Sequence, residues 1–358
     1  MRKTIGLLSV LLAAQLLLAV GMSVTGPDLT ALRPDTPLIA FDGSSVDRLS
    51  IDGADNERVV LARTGDGWVL PERGDFPAAA TRVEGLLERL GGLQRGLPVA
   101  TTEAAQKRFK VDDQTFERRI ELARSDDTLA TLYFGSSPGV RRVHARADQD
   151  TAVYTVEFGL YDAPAEAEEW EDKAVLQITR DEIDRIEVAE LVLRRTPGDA
   201  AGGTSAQDDG PKPAPANWSG QGLQQGETLN QAGAEALAEK LAELRIGSVL
   251  GREPQPEYGL DAPQLVLTVQ RNGAEAIEYR LGRRDQEKDY VLKVSSRPEY
   301  FRLPGYSAEP LIEAAGRDTL VAASEPAAQD EAQQGGVDQP PAQGADERPP
   351  AAAGEDAS

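Results

Sequence analysis

The single histidine of the chain, His144, lies in a basic segment that reads Arg141-Arg-Val-His-Ala-Arg146. A catalytic histidine needs a nucleophile or a carboxylate partner, and a metal site needs further nitrogen or carboxylate ligands. The sequence identifies neither kind of partner. The three neighbouring arginines also discourage protonation of the ring and metal binding. We therefore interpret His144 as a structural or surface residue.

The arginines around this histidine, Arg141, Arg142 and Arg146, could themselves contact an anion or a protein partner. A planar guanidinium suits bidentate recognition of carboxylates and phosphates. The alternative, which we favour, is that they pair with nearby carboxylates such as Asp148 and Asp150 on an exposed strand. They are the candidate contact residues of the sequence.

The carboxylates of Asp112, Asp113 and Asp261 could suggest acid–base chemistry. Asp112 and Asp261 each follow an aromatic and an apolar residue and precede an alternating strand, so turn capping through backbone N–H bonds is the simpler interpretation. A hydrolase that uses carboxylates alone needs a geometry that the sequence does not specify. The sequence contains no phosphate loop, nucleophile elbow or zinc helix motif, and no cysteine. We predict a protein that is not an enzyme and that uses no cofactor or metal.

These residues lie in a pattern that occurs twice along the chain. Phe109-Lys-Val-Asp112 precedes one alternating strand, and Tyr258-Gly-Leu-Asp261 precedes another. Further matching pairs are Val46-Asp-Arg-Leu-Ser-Ile51 with Ile183-Asp-Arg-Ile-Glu-Val188, Leu132–Gly135 with Tyr279–Gly282, and Trp68 with Trp218. The two tryptophans are expected to pack in cores. The pattern predicts one module repeated in tandem.

Each module combines strands with one amphipathic helix. Val46–Ile51, Arg58–Arg63 and Trp68–Leu70 alternate like the strands of a meander. Apolar residues then recur at helical spacing from Ala78 to Leu93, and again from Ala234 to Ile246. A helix on an antiparallel sheet covers the apolar face of that sheet. The predicted fold is α+β, with two tandem repeats, each an antiparallel sheet covered by an amphipathic helix.

The composition divides the chain into further segments. The first repeat is expected at residues 38–163 and the second at residues 174–322, on either side of an acidic bridge around Trp170. Residues 197–216 and 323–358 are rich in Ala, Gly, Pro and acidic residues and cannot bury enough apolar surface to offset their chain entropy. We expect a disordered insertion and a disordered acidic tail.

The N-terminal segment, residues 1–25, is predicted to be a transmembrane anchor that follows Arg2 and Lys3. The apolar run from Ile5 to Val24 reaches the length of about 20 residues that crosses a bilayer. Basic residues before the run place the rest of the chain outside the cytoplasm. The alternative is a cleaved signal peptide, because Ala19-Val-Gly21 is an acceptable cleavage site.

The net charge of the whole chain is -22. Nucleic acid and anionic lipid headgroups repel so acidic a protein, and neither is expected as a partner of the folded part. The 40 % of hydrophobic residues is enough for two domains with real cores.

Together the anchor, the Asp66-Gly67-Trp68 turn, the Ala-rich helix, the Tyr258–Pro263 turn and Tyr279–Gly282 resemble the DUF4340 family. The resemblance covers most of residues 1–322 and is better in the second repeat. In the first repeat, Phe109-Lys-Val stands where the family usually has Tyr-Gly-Leu, so that turn lacks the glycine. The resemblance implies a bacterial, membrane-anchored protein whose gene lies near components of ABC transporters similar to gliding-motility auxiliary proteins. It implies no catalytic residues.

The resulting hypothesis is a non-enzymatic, single-pass inner-membrane protein with a periplasmic two-repeat domain that binds ABC-transporter subunits. The alternative is a periplasmic module that binds a small anionic ligand or a cell-wall fragment in the cleft between the repeats, with Arg141, Arg142 and Arg146 as contacts.

Overall fold

A computed structural model describes residues 36–65, 67–148, 150–196, 217–284 and 288–323, and Gln15. The predicted anchor, the insertion at residues 197–216 and the acidic tail lie outside the described residues, except for Gln15 and Ala323. Within the described residues, no helix is long and apolar enough to cross a membrane.

The first repeat begins where the description of the chain begins. Its strands are β1 (Thr36–Pro37), β2 (Arg48–Gly53), β3 (Arg58–Thr64), β4 (Gly67–Leu70), β5 (Phe76–Pro77), β6 (Gln94–Arg95), β7 (Arg118–Arg124), β8 (Asp127–Phe134), β9 (Arg142–Ala147) and β10 (Tyr154–Glu157). Its helices are α1 (Ala80–Gly91) and α2 (Glu103–Phe109). The strands form an antiparallel sheet in the order β10-β9-β8-β7-β2-β3-β4-β5, and β1 pairs with β6.

The second repeat follows a linking segment that contains a short 3₁₀ helix at Ala167–Trp170. Its strands are β11 (Ile183–Val188), β12 (Leu191–Thr196), β13 (Asn217–Gln221), β14 (Glu227–Leu229), β15 (Ser248–Gly251), β16 (Leu265–Arg271), β17 (Ile277–Arg283), β18 (Tyr290–Val294), β19 (Tyr300–Leu303) and β20 (Val321–Ala323). Its helices are α3 (Gln231–Ala242), α4 (Gly305–Ala314) and α5 (Arg317–Leu320). Its sheet has the order β13-β12-β11-β16-β17-β18-β19-β15, and β14 pairs with β20.

The two sheets share one strand order. From its other end the second sheet contains β19-β18-β17-β16-β11-β12-β13, which corresponds strand by strand to β10-β9-β8-β7-β2-β3-β4 in the first. The two large antiparallel sheets and the α+β class confirm that part of the sequence prediction. In each repeat a helix packs on the sheet: α1 buries Val83, Leu86, Leu87 and Leu90, and α3 buries Leu237, Ala238 and Leu241.

The helix predicted at Ala234–Ile246 begins and ends earlier, at Gln231–Ala242. It begins earlier because the side chain of Asn230 accepts a hydrogen bond of 3.3 Å from the backbone N–H of Gly233 and caps the helix. The predicted apolar positions beyond Ala242 are still buried, and Ile246 packs in the core as part of an irregular segment. The apolar spacing of the sequence therefore did not distinguish residues buried by the helix from residues buried by the chain that follows it.

The aspartate of the repeated Asp-Arg pair has a structural role. The sequence showed that the pair recurs but did not show this role. The carboxylate of Asp47 accepts hydrogen bonds of 2.7 and 2.9 Å from the backbone N–H of Ser125, in the turn between β7 and β8. The carboxylate of Asp184 accepts one of 2.7 Å from Gly273 in the equivalent turn between β16 and β17. The same residue therefore fixes the same hairpin in both repeats.

The turn at Tyr258–Pro263, which we name the family turn, has a counterpart with different residues in the first repeat. Gly259 adopts a left-handed conformation with φ of 63°, and Lys110 adopts it in the first repeat with φ of 57°. Each turn presses against a strand glycine: a Cβ on Gly282 would lie 2.2 Å from the carbonyl oxygen of Tyr258, and one on Gly135 would lie 2.0 Å from that of Phe109. The first turn keeps the shape of the second although it lacks the glycine.

Candidate functional site

The three candidate arginines do not converge on one site. Arg146 is buried, and its Nε donates a hydrogen bond of 2.7 Å to the carbonyl oxygen of Val111. Its guanidinium also pairs with Asp113 and lies 4.4 Å from the ring centroid of Tyr133. Because these bonds occupy it inside the first repeat, Arg146 fixes the segment after α2 onto the sheet.

Arg142 and Arg141 are exposed and lie at the end of the hairpin between β8 and β9. Arg141 adopts a left-handed conformation, with φ of 54°. Neither guanidinium forms an ion pair within the described part of the chain. The expected ion pairs of the three arginines with the carboxylates of Asp148 and Asp150 are not seen among the described residues. Arg146 contacts only the backbone of these two residues, because its Nη1 donates to their carbonyl oxygens at 3.3 and 3.4 Å.

Arg142 lines a cavity of about 630 Å³ together with Arg89, Gln94 and Thr155. The same cavity is bordered by Glu157, which lies opposite Arg142 in β10. Arg89, in the last turn of α1, pairs with Asp162 at 3.2 Å. The cavity therefore offers the Arg142 guanidinium, which has no ion-pair partner among the described residues. Beside it lie the Glu157 carboxylate, the Arg89–Asp162 pair and the negative end of a helix dipole.

His144 is buried beneath the end of α2. Its Nδ1 lies 2.7 Å from the carbonyl oxygen of Ser136 and 3.0 Å from the Ser136 hydroxyl. Its ring lies 4.3 Å from the ring of Phe109. These contacts agree with the structural interpretation, since the ring is held by backbone and an aromatic neighbour.

The three aspartates considered for acid–base chemistry lie in different surroundings and have different partners. The carboxylate of Asp112 accepts hydrogen bonds of 2.9 and 3.0 Å from the backbone N–H groups of Gln114 and Thr115, which confirms the predicted turn cap. Asp113 pairs with Arg146. Asp261 is exposed and accepts no backbone N–H bond among the described residues, so the predicted cap is seen only in the first repeat. No two of these carboxylates share a site.

A second polar region lies on the outer face of the first sheet, where cavities of about 540 and 460 Å³ are both lined by Arg119 and Tyr133. Arg119 pairs with Asp52 at 3.2 Å and with Glu121 at 2.5 Å. Burial raises the pKa of the Tyr133 phenol, and the nearby carboxylates of Asp113 and Asp148 raise it further. Burial and these carboxylates favour the protonated phenol, and the Arg119 guanidinium opposes them by lowering the pKa of Tyr133.

The join between the repeats is a packed interface that sequence reasoning missed. The ring of Phe76, in β5 of the first repeat, is buried in the core of the second repeat, 6.2 Å from the ring of Phe301. Arg252 bridges the repeats, because its Nη2 donates to the carbonyl oxygen of Gly74 at 2.8 Å and to Glu299 at 3.0 Å. Phe76 carries no periodic signal in the sequence, so only the structure reveals it.

The segment that links the repeats is bonded to both of them. Glu171 forms a bridge with Ala78 on the first repeat, and its fully buried carboxylate accepts a hydrogen bond of 3.0 Å from the backbone N–H of Val249 in β15. Arg73 and Lys173 lie 3.5 and 3.7 Å from that carboxylate. Burial raises the pKa of Glu171, and these partners oppose the effect.

Among the residues that the structure describes, no group of three or more His, Asp or Glu side chains is placed to hold a metal ion. What the described arrangement offers chemically is paired charges, buried turn caps and two exposed arginines at a hairpin.

Comparison with known proteins gives one match. The family model described as "Domain of unknown function (DUF4340)" matches residues 68–263, from β4 of the first sheet through the join to the turn before β16 of the second repeat. No curated protein and no solved structure matches the chain.

Proposed function

Because the chain belongs to the DUF4340 family, we propose that it is a non-enzymatic, single-pass inner-membrane protein whose two-repeat domain lies in the periplasm. In this proposal the domain binds subunits of an ABC-type transport system. The apolar run Ile5–Val24 and the basic residues before it support the membrane location.

The observation that carries the partner-binding proposal is the packed join around Phe76. A ligand-capturing protein of two lobes closes about a hinge, with space between the lobes for its ligand. Here Phe76 of one repeat is 1 % exposed inside the core of the other, and Glu171 and Arg252 bond across the same join. A body of this kind presents its surfaces in a fixed relative position, which suits an accessory subunit that docks on a larger complex.

The test is to express the full-length protein with a C-terminal tag in a Gram-negative host and to isolate the inner membrane. The protein is purified in mild detergent, its intact mass is measured, and copurifying proteins are identified by mass spectrometry. The proposal predicts a chain of full mass together with ATP-binding and membrane subunits of a transporter in comparable amounts.

The matched control replaces residues 1–25 with a cleavable export signal, which separates anchoring from partner binding. Transporter subunits recovered with the anchored chain and retained by the exported domain would place the contact on the repeats. An intact membrane chain that purifies without any transporter subunit would contradict the proposal, as would a trimmed, soluble species.

The alternative is a module that binds a small anionic ligand, and the observation in its favour is the cavity shared by Arg89 and Arg142. A ligand there would lie within the first repeat, away from the packed join. Thermal unfolding of the protein with phosphate, sulfate and dicarboxylates tests it. A rise in Tm that disappears in Arg142→Ala supports this function, and an unchanged Tm with all three ligand classes opposes it.

A further inference from the structure

The position at which the chain enters the first repeat limits how far that repeat can be from a bilayer. Eleven residues, 25–35, separate the apolar run from Thr36. At a maximum of about 3.6 Å per residue this segment spans roughly 40 Å. Thr36 pairs with Arg95 in β6, two residues before Leu97. The surface around Leu97 is therefore the part of the fold that is directly tied to the N-terminal segment.

Two of the most exposed large apolar side chains lie on this side of the first repeat. Leu97 is 67 % exposed and Val140 is 91 % exposed. Leu97 directly follows Gly96, which lines the same cavity as Arg142, and Val140 is two residues before Arg142. The two apolar side chains thus belong to chain segments that line one cavity, through Gly96 and Arg142. Exposed apolar residues that are grouped in this way, and not scattered singly, indicate a contact surface.

The charges around Val140 are basic, in contrast to the rest of the protein. Arg141 and Arg142 follow it directly, and Lys107 and Arg108 are exposed at the end of α2. The end of α2 is held beside the hairpin, because the backbone N–H of Ser136 donates a hydrogen bond of 2.9 Å to the carbonyl oxygen of Phe109. We name the surface formed by Leu97, Lys107, Arg108, Val140, Arg141 and Arg142 the hairpin patch.

The hairpin holds Val140 outward in a defined conformation. The hydroxyl of Ser137 lies 2.7 Å from the carbonyl oxygens of both Gly139 and Arg142, which closes the loop from within. Arg141 keeps a left-handed conformation, with φ of 54°, which turns the chain into β9 directly after Val140.

We propose that the hairpin patch binds the anionic surface of the membrane in which the chain is anchored, with Val140 entering the headgroup region and the basic residues contacting lipid phosphates. Basic residues beside exposed apolar side chains are the composition of an interfacial membrane contact. The inference rests on the proposed N-terminal anchor, because the anchor brings the patch to the bilayer.

The net charge of -22 does not prevent this contact. Salt at physiological concentration screens charges over a length of about 8 Å, so a headgroup responds to the patch and not to the distant acidic residues. Acidic side chains also lie close by, because Glu157 is opposite Arg142 and the exposed Glu103 is one turn before Lys107 on α2. The contact is therefore expected to depend strongly on ionic strength.

The absence of cysteine from the chain allows a direct test. Full-length protein carrying Val140→Cys is labelled with a fluorophore and placed in nanodiscs that contain nitroxide-labelled lipid. One set of nanodiscs contains phosphatidylglycerol and the other only phosphatidylcholine. The control is Tyr306→Cys, which is 82 % exposed in the second repeat.

The expected result is strong quenching of the label at position 140 in phosphatidylglycerol nanodiscs, with loss of quenching in phosphatidylcholine and at 1 M salt. Quenching is also expected to disappear when Arg141→Glu and Arg142→Glu are combined with the label, and to be absent at position 306. An intact, incorporated chain without quenching at position 140 overturns the inference alone. Equal quenching in both lipids, or quenching only after a copurified partner is added, overturns it too.

The intact mass of the incorporated protein separates this failure from failure of the anchor. A chain that is trimmed near residue 25 and does not enter nanodiscs overturns both the proposed anchor and the hairpin-patch inference.

Discussion

The buried carboxylate of Glu171 accepts a hydrogen bond of 3.0 Å from the backbone N–H of Val249, and this bond ties the linking segment to an edge strand of the second sheet. An edge strand without a neighbour exposes unpaired backbone groups. Here a side chain of the linking segment satisfies one of them, while the backbone of the same segment pairs with Ala78 on the first repeat. The two repeats therefore share an interface that is bonded on both sides.

Replacing Glu171 is expected to reveal how the interface uses this carboxylate. Glu171→Ala leaves the Val249 N–H without its partner and is expected to lower the free energy of unfolding by about 1–3 kcal/mol. Glu171→Gln keeps an acceptor for that N–H and is expected to cost clearly less. Urea unfolding of both variants measures the difference, and equal losses would contradict the role of the hydrogen bond.

The same residue predicts a dependence of stability on pH. Burial raises the pKa of Glu171 above its ordinary value of 4.5, so the folded state holds the proton more tightly than the unfolded state. Its contribution to stability is therefore greatest below the unfolded pKa and is lost as pH rises through the folded pKa. The free energy of unfolding of wild type relative to Glu171→Gln is expected to fall as pH rises above about 4.5 and then to level off. A relative stability that is constant or rises over pH 4–8 would oppose this assignment.

Phe76→Ala is expected to lower the free energy of unfolding by about 3–5 kcal/mol, because it opens a cavity in the core of the other repeat. Since Phe76 couples the repeats, we also expect the protein to unfold in one transition and Phe76→Ala to unfold in two. Denaturant unfolding monitored by tryptophan fluorescence measures both effects. Tyr306→Ala, at an exposed position, is the control and is expected to change stability by no more than about 0.5 kcal/mol. A loss in Phe76→Ala no larger than that of the control would contradict the packed join.

The two versions of the family turn are expected to respond differently when glycine is removed from one and introduced into the other. Gly259→Ala introduces a Cβ 2.3 Å from the carbonyl oxygen of Arg283 in a left-handed residue and is expected to be strongly destabilising. Lys110→Gly relieves the left-handed strain and is expected to be neutral or to stabilise by up to about 1 kcal/mol. Lys110 pairs with Glu117 on the surface, and such exposed pairs contribute little. The Tm values of both variants test this, and a large loss in Lys110→Gly would show that the first turn is not equivalent to the second.

The repeated hairpin caps predict matched losses in the two repeats. Asp47→Ala and Asp184→Ala each remove an acceptor for a backbone N–H and are each expected to cost about 1–2 kcal/mol. Asp55→Ala, at an exposed position in the turn between β2 and β3, is the control. Losses no larger than that of the control would mean that these carboxylates do not hold the hairpins.

The repeat, the strands and the main helices could be predicted because their signals are local. The recurring Asp-Arg pair marks β2 and β11, and the burial of Trp68 and Trp218, each 3 % exposed, confirms the predicted core packing. Each tryptophan ring also contacts an arginine on the adjacent strand. The guanidinium carbon of Arg63 lies 4.9 Å from the ring centroid of Trp68, and that of Arg195 lies 5.0 Å from the ring centroid of Trp218. A pattern that occurs twice reflects the same requirement of the fold in both repeats, and this recurrence makes it recognisable in the sequence.

The join and the fate of the arginines could not be predicted, because both depend on contacts between distant segments. Alternation in β9 already puts Arg142, His144 and Arg146 on one face. Only the fold shows that the segment after α2 covers Arg146 through Val111 and leaves Arg142 exposed. In the same way, nothing near Phe76 in the sequence indicates the second repeat as its environment.

The distance between the two repeats tests most directly whether they form one body that docks on a partner. Spin labels at Glu88→Cys in α1 and Glu239→Cys in α3 report it, since both positions are exposed on helices and the chain has no other cysteine. Pulsed electron paramagnetic resonance of the doubly labelled protein is expected to give a single narrow distance distribution, which broadens when Phe76→Ala is added. A broad or two-peaked distribution in the protein that retains Phe76 would contradict the rigid join and favour two lobes that move about a hinge.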